Sequence, residues 1–478
     1  MRFAIIGAGM SGVLAAIKLQ GAGFEDYVVY EKADRLGGTW RENTYPGIAC
    51  DVPSHLYSYS FAPNPDWSHQ FAPGDEIETY FERVAADHGV TPKIRFGEQV
   101  TGVEWRDGRW HLTTGTGRTD EADVVIAATG VLHQPRLPDI AGLDRFGGPC
   151  FHSSRWDHGA EIDGKRVGII GTGSTAVQIT SAIVDRVGHL DVFQRTPPWI
   201  FPVQNTAYTE AELVAFHEHP DRMLQLHDTL AELFAGFASA VTDADSAQNE
   251  AIATACVANL EGSVADPDLR ERLRPDYQPA CKRLIMSGDY YQAIQKPNAG
   301  VVTEGIEGVV PEGVRTKDGE LHELDVLVLA TGFQADAFMR PMDIVGRGGV
   351  TLADAWDPRP NAYLSVSIPE FPNLFMLNGP NGPVGNFSLI EVAELQMAYT
   401  MGLIDELAAG RCTEICATQA AMDAHEEARV AETSHTIWVT GCKSWYLDDR
   451  GIPATWPWPF EDFRTAMAAP DLAAYDRR

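Results

Sequence analysis

Long apolar runs are missing from this sequence. No stretch of about 18 apolar residues, the length a membrane helix needs, occurs in the 478 residues. The start, Met-Arg-Phe-Ala-Ile-Ile, has the opening of a signal peptide, but Gly7, Gly9 and Gly12 interrupt it at once. Basic residues are scarce, 37 Lys and Arg against 67 Asp and Glu, a net charge of −30. That balance argues against non-specific binding to nucleic acid or anionic lipid. A bound phosphate must therefore meet local cations or backbone donors. Cysteine is sparse, scattered and odd in number, seven in all (Cys50, Cys150, Cys256, Cys281, Cys412, Cys416, Cys442). A secreted disulfide framework is normally dense and even, so loose thiols in a reducing cytoplasm are expected. Cys412 and Cys416 come near metal spacing without a second pair. His217, His219 and His227 lack partners at ligand spacing and are expected to face solvent, so no metal is predicted. Gly-x-Ser-x-Gly and Cys-x-x-Cys are absent too.

What is present is a duplicated nucleotide motif. Phe3 to Ile6 reads as a strand feeding Gly7-Ala-Gly9-Met-Ser11-Gly12, then an apolar helix through Leu19, then a strand from Tyr27 to Tyr30 ending at Glu31. Strand, glycine turn, helix, strand and acid together form a dinucleotide site. The unit recurs as Arg166 to Ile170, Gly171-Thr172-Gly173-Ser174-Thr175-Ala176, and Val192-Phe193 ending at Gln194-Arg195. Gly7 to Glu31 and Gly171 to Arg195 span equal lengths. The two ends differ chemically: an acid accepts from ribose hydroxyls, whereas an arginine suits a 2′-phosphate. The first unit should hold an adenine nucleotide without that phosphate, the second NADPH.

A second echo sets Asp123-Val-Val-Ile-Ala-Ala-Thr129-Gly130 against Asp325-Val-Leu-Val-Leu-Ala-Thr331-Gly332. Each is a buried strand ending in a glycine turn, placed where a unit would close. The expected fold is α/β: two Rossmann-like domains, the first discontinuous (1–145 and 325–478), the second at 158–324, and residues 146–157 as the connection. Residues 146–157 read as too polar and too Gly/Pro-broken to be a core element of either domain. A helical insertion is expected over about 208–276, with Met223, Leu226, Leu230, Leu233, Phe234, Phe237 and Val241 on one core face. Ser388 to Leu407 reads as a helix opened by a Ser388/Glu391 capping box.

After Glu31, the run Gly37-Gly38-Thr39-Trp40 to Tyr45-Pro46-Gly47 to Asp51 combines glycines that allow close approach to a flat cofactor with rings that wall it. This run resembles the long fingerprint of the Baeyer–Villiger monooxygenases. Phe146, Gly148, His152, Trp156 and Asp157 match that family's second fingerprint. With the nucleotide motifs the resemblance covers residue 3 to about 335, and it resumes near Asn378-Gly-Pro-Asn381 and Ser444-Trp445-Tyr446.

The resemblance implies FAD in the first unit, NADPH in the second, and a flavin C4a-peroxide that inserts one oxygen atom of O2 beside a ketone carbonyl to give an ester or lactone. Arg283 is carried over as the catalytic arginine and Asp51 as the carboxylate that orients it. For FAD the implied residues are Gly7, Gly9, Ser11, Gly12, Glu31, Lys32, Gly38, Thr39, Trp40, Asp51, Tyr57 and Val100. For NADPH they are Ala49, Cys50, Gly171, Thr172, Gly173, Ser174, Thr175, Ala176, Gln178, Arg195, Thr196, Lys282, Arg283 and Trp445. Candidate substrate walls are Tyr57, Phe61, Asn386, Phe387 and Trp445. His152 reads as a hydrogen-bonded residue positioning the two domains rather than a base. The chain begins at its first strand, which on the resemblance implies a more open pocket. Two other readings compete: a flavin monooxygenase oxidising nitrogen or sulfur, and an NADPH-dependent disulfide reductase. The first would lack the Asp51 and Arg283 pairing; the second would need a redox cysteine pair, which Cys50 and Cys281 do not form in the sequence.

Overall fold

The computed structural model describes residues 1–383, 387–442, 444, 446–448 and 450–478, with the side chain of Ser239 left aside. The first nucleotide unit is a parallel sheet ordered Leu374–Met376, Val124–Ala127, Phe3–Ile6, Tyr27–Tyr30, Ile94–Arg95. Phe3–Ile6, Tyr27–Tyr30 and Val124–Ala127 are buried at every position, as expected of parallel strands covered on both faces. The helix Met10–Gly21 covers one face, and an antiparallel sheet of Val100–Arg106, Arg109–Thr114 and Thr119–Ala122, extended by Asp343–Val345, packs nearby.

The second unit repeats the plan, in the order Ala299–Val302, His189–Phe193, Arg166–Ile170, Val326–Leu329, Cys150–His152, again all parallel. The two sequence echoes have a common cause. In each unit the aspartate before the closing strand accepts the backbone N–H of the residue at the mouth of the first strand: Arg2 to Asp123 at 2.7 Å, Arg166 to Asp325 at 2.9 Å. In each, the first motif glycine has positive φ, +105° at Gly7 and +128° at Gly171. A Cβ there would lie 2.4 Å from the Ala128 carbonyl oxygen or 2.2 Å from that of Ala330. The glycine turn and the Ala-Thr-Gly turn are thus two sides of one close contact, and only glycine fits it.

The segment 146–157 differs from expectation. Cys150–His152 is not a bare connection but the edge strand of the second sheet, paired Leu327 to Cys150 through Leu329 to His152. Its apolar residues explain why: Phe146 and Cys150 pack on one face of that sheet, Phe151 and Trp156 on the other. The strand Val326–Leu329 likewise belongs to the second sheet, so the pairing changes after it and not at 325. The chain crosses between the units in a two-stranded ribbon, where Arg136 N–H donates to the Gly332 carbonyl and Gln334 N–H to that of Gln134, each at 2.9 Å. His152 clamps this ribbon. Its Nδ1 accepts from the Ser154 backbone N–H, which leaves Nε2 to carry the proton and donate to the Gly332 carbonyl at 3.0 Å.

Helices Glu210–Glu218, Pro220–Thr242, Ala247–Ser263 and Pro267–Arg272 form the insertion. On the second of them Met223, Phe234 and Val241 are buried, but Leu233 is 55% exposed, because the buried stripe runs through Ala231 and Ala238 instead. His217 pairs with Asp66 at 2.6 Å, and His227 is partly covered beside Asp228. Ser388 caps Leu389–Ala408 by accepting from Glu391 N–H, whereas the Glu391 side chain pairs with Arg464 at 2.5 Å and does not complete the box. Among the described residues no helix is long and apolar enough to cross a membrane, and no group of three or more potential ligands could hold a metal.

Two buried histidines make stability depend on pH. His55 packs against Tyr208 and Phe216, and His425 against Tyr363, Trp456 and Trp458. Burial pushes each down to about 4. Below the ordinary histidine value the unfolded chain takes up protons that the native chain refuses, so stability falls from about pH 6.5 toward pH 4. At pH 5 the loss should reach up to about 2 kcal/mol for each. The thermal midpoint should fall between pH 7 and pH 5, and His55→Gln with His425→Gln should flatten that fall. An equally steep fall in the double variant would refute the assignment.

Candidate active site

The glycine loop of the first unit is stripped to the backbone. A Cβ on Gly12 would lie 1.8 Å from the Gly7 carbonyl oxygen, and one on Gly38 would lie 2.9 Å from Gly9 Cα. The turn and the Gly37–Gly38 loop therefore touch backbone to backbone, leaving N–H groups at the start of helix Met10–Gly21. Glu31 ends its strand buried, with one carboxylate oxygen accepting Ala8 N–H at 2.8 Å and the other Ala33 N–H at 2.9 Å. This places an acceptor beside the glycine turn, where a ribose is expected. The loop toward Val100 follows closely, since Glu98 N–H donates to the Glu31 carbonyl at 2.9 Å.

Trp40 Nε1 donates to the Tyr57 hydroxyl at 3.2 Å with the rings edge to face, and burial pushes the Tyr57 phenol up. Thr39 opens the short helix Thr39–Glu42. Ser11 is buried beside Asn378, whose Nδ2 lies 3.1 Å from the Ser11 hydroxyl, and Asn378 Oδ1 is a buried acceptor with no protein donor. Lys32 is turned to Glu42 at 3.0 Å. Glu42 also meets Arg41 and Arg155, and these cations hold its carboxyl below the usual range despite burial.

The fingerprint loop of the first unit rests on the second. Tyr45 hydroxyl donates to Gln178 Oε1 and Gln178 Nε2 donates to the Ala49 carbonyl, both at 2.9 Å. Thr175 lies beside the same phenol, whose pKa burial pushes up. Gly47, at φ +80°, is pressed so close that a Cβ would lie 2.7 Å from the Gln178 carbonyl oxygen. Two of the residues expected near the NADPH pyrophosphate, Thr175 and Gln178, thus also join the units.

In the second unit Gly171 and Gly173 lead into helix Ser174–Ile183, with Ala176 buried in its first turn. Thr172 Oγ1 donates to the Thr196 carbonyl at 2.8 Å, so the turn and the Arg195–Thr196 strand end are tied together. Arg195 is exposed. Lys282 lies near enough for burial and the Arg195 charge to draw its pKa down, and its ammonium sits 4.4 Å above the Tyr277 ring. Two cations that feel one another's charge can together receive an anion.

Asp51 and Arg283, far apart in sequence, meet where the units join. Arg283 Nη2 donates to Asp51 Oδ1 at 2.6 Å and Nε to Oδ2 at 3.1 Å, a bidentate pair. Local structure fixes both ends. Cys50 N–H donates to the Ala72 carbonyl at 3.0 Å, and Ile285–Met286 pairs in parallel with Ile200–Phe201 just past Arg283. Burial opposes the arginine charge, but the adjacent carboxylate overcomes it and leaves the guanidinium above its ordinary pKa. Asp51 occupies two donors of the fork, and the guanidinium keeps others for a second acceptor. Burial, then the Asp51 charge, pushes the neighbouring Cys50 thiol up, so it stays protonated and is no redox thiolate.

Sequence reasoning missed two features here. Tyr446 is buried, and its phenol lies close enough to Arg283 for burial to push its pKa up while the guanidinium charge draws it down. The signal was present, since Tyr446 stands in the matched Ser444-Trp445-Tyr446 stretch. Cys281 and Cys442, expected as loose thiols, are disulfide-bonded. A pairing across 161 residues leaves no local pattern to read. Phe61, expected as a pocket wall, stacks on Tyr59 with the Lys18 ammonium over its ring, and Phe387 packs on Phe460. Trp445 and Asn386 lie outside the described residues.

Comparison with known proteins agrees with this geometry. Residues 4–219 match the pyridine nucleotide-disulphide oxidoreductase family. The chain is 40% identical to a Baeyer–Villiger monooxygenase of Streptomyces coelicolor, over 99% of this chain and 92% of that one. It is 45% identical to an uncharacterized monooxygenase of Mycobacterium tuberculosis, over 99% and 96%. The cyclohexanone monooxygenase of Rhodococcus sp. Phi1, solved bound to NADP+, superposes with a TM-score of 0.89 at 30% identity, over 100% of this chain and 99% of that one. With two nucleotide units built on one plan and this likeness along its whole length, the chain belongs to the Baeyer–Villiger monooxygenase family.

Proposed function

We propose that this protein is an FAD- and NADPH-dependent Baeyer–Villiger monooxygenase that converts a ketone, with O2, NADPH and a proton, to an ester or lactone, water and NADP+. The bidentate Asp51–Arg283 pair carries the reading. The residues fit both cofactors. A glycine cradle, Glu31 and the unmatched acceptor of Asn378 suit FAD. The Lys282 and Arg195 cations suit a 2′-phosphate, which would relieve their mutual repulsion. A solved relative, OTEMO, is described in complex with FAD and NADP, and cyclohexanone monooxygenase is described bound to cyclohexanone and to ε-caprolactone.

When bound, the flavin supplies activated oxygen at the expense of NADPH. The chain's own part is placement and charge. Arg283 offers a fixed positive donor to oxygen on which negative charge develops, and Asp51 sets its plane. Trp40 and Tyr57 wall the first nucleotide unit, and Cys50 stays neutral beside them. We assign FAD to the unit of residues 1–145 with the return after Leu329, and NADPH to the unit carrying Gly171 to Arg195 with its helical insertion. We place the protein in the cytoplasm, where NADPH is supplied.

The deciding experiment is a product-identified screen of cyclic, linear and aryl ketones and one thioether with purified enzyme and NADPH. Esters or lactones are expected. Sulfoxide from the thioether with no ester from any ketone would favour a heteroatom oxygenase instead.

A further inference from the structure

The Cys281–Cys442 bridge is explained neither by the nucleotide sites nor by the Asp51–Arg283 pair. Its Cα atoms lie 6.4 Å apart, and it sits in a small core with Val241, Ala280, Ile437, Trp438 and Tyr446. One half-cystine directly precedes Lys282 and Arg283, the cation of the proposed phosphate site and the proposed catalytic arginine. The other stands in the segment that delivers Tyr446.

The described residues of that segment are held at two places. At its far end Arg359 joins Glu426 at 3.0 Å and Asp448 at 3.3 Å, and the fully buried Arg429 holds Glu426 and the Pro453 carbonyl. At its near end the anchor is the bridge. Tyr446 lies between them, its ring 5.7 Å from that of Trp438, its carbonyl accepting Ala454 N–H at 2.7 Å, in one cluster with Cys281 and near enough to feel the Arg283 charge. Asp51 holds one edge of that guanidinium and sets its plane, and the buried Tyr446 beside it limits how far it can turn.

We propose that the Cys281–Cys442 bridge is a thiol-responsive tether that makes Tyr446 a positioning residue for Arg283. This rests on Arg283 being the catalytic cation. A disulfide in a protein of a reducing compartment is characteristically transient, regulatory or catalytic. Here both half-cystines are buried residues, Cys281 at 0% and Cys442 at 8% exposure, so the bridge opens only to a reductant admitted by local loosening. The reductant is a dithiol. It gives two electrons and two protons, the S–S bond breaks to two cysteine thiols, and the dithiol closes to its own disulfide. With the near anchor gone, Tyr446 releases Arg283 and Lys282 loosens with it. NADPH is still consumed, but its electrons leave as hydrogen peroxide instead of driving oxygen into the ketone.

The test begins with holoenzyme freed of reductant, unfolded and titrated for thiols. Five are expected, from Cys50, Cys150, Cys256, Cys412 and Cys416; a count of seven overturns the proposal. Product per NADPH and NADP+ affinity are then compared between bridged enzyme, the same enzyme reduced with a trialkylphosphine, and Cys442→Ser. Both altered forms should lose about tenfold in product per NADPH, within what a small misplacement of a reacting group costs, and should bind NADP+ more weakly. Should Cys442→Ser fail to fold, the phosphine-reduced enzyme makes the same comparison. Tyr446→Phe should keep five thiols and NADP+ affinity yet lose product per NADPH. Unchanged coupling in the reduced enzyme, or in Tyr446→Phe, overturns the tether. If Arg283→Ala stays coupled while five thiols are counted, the catalytic reading fails and not the bridge.

Discussion

Arg283→Ala should continue to oxidise NADPH while ester or lactone formation drops by roughly 10²–10³-fold, the loss typical when one preorganised donor to a developing oxyanion is removed. The geometry explains why the two activities separate. The hydrogen bonds of Arg283 run to Asp51, so nucleotide binding keeps its supports at Glu31 and at the Thr172–Thr196 contact. What disappears is a buried cation with Asp51 on one edge. Arg283→Lys should restore little, because an ammonium cannot bind the carboxylate with two parallel donors. The measurement is product by chromatography against NADPH consumed and hydrogen peroxide released. Full oxygenation by Arg283→Ala would remove the mechanism proposed above.

Arg195→Ala should weaken NADPH by roughly 10–100-fold and leave NADH nearly unchanged, since a charge-assisted contact contributes about 1.5–3 kcal/mol and tenfold is about 1.4 kcal/mol. Arg195 is exposed at the end of its strand and lies close enough to Lys282 for their charges to be coupled. With Arg195 gone, Lys282 retains part of the 2′-phosphate interaction, so the double variant should reach parity between the two nucleotides. Steady-state KM for each nucleotide, with binding of NADP+ and NAD+ measured separately, decides the matter. An equal loss for both nucleotides would place Arg195 in general support of the fold.

Much of this molecule was legible in the sequence because its constraints are local. A glycine forced into positive φ beside a carbonyl leaves the same spacing in both units, and so Gly7, Gly171, the Ala-Thr-Gly turns and the three central strands of each parallel sheet could be read from spacing and pattern. Asp51 and Arg283 were not local, and only the resemblance joined them. The misreadings share one cause. Phe146 to Asp157 looks broken by Gly and Pro, yet three of its residues pair as an edge strand because Phe146, Phe151 and Trp156 find faces to cover. Leu233 fits a helical stripe, but its neighbours Ala231 and Ala238 face the core. The disulfide partner of Cys281 and the phenol beside Arg283 come from the far end of the chain, and spacing carries no information about such meetings.

The ribbon at Gln134–Arg136 and Gly332–Gln334 has a mechanical consequence. Two covalent strands hydrogen-bonded side by side resist shear but permit torsion about their common axis. Sliding or separating the units would have to break these two hydrogen bonds, whereas a small twist would only bend them. His152 Nε2 donates to the Gly332 carbonyl, the oxygen that also accepts from Arg136, so loss of the imidazole would soften the joint. A double crossing of this kind fixes the angular setting of one unit against the other more firmly than a single flexible tether would.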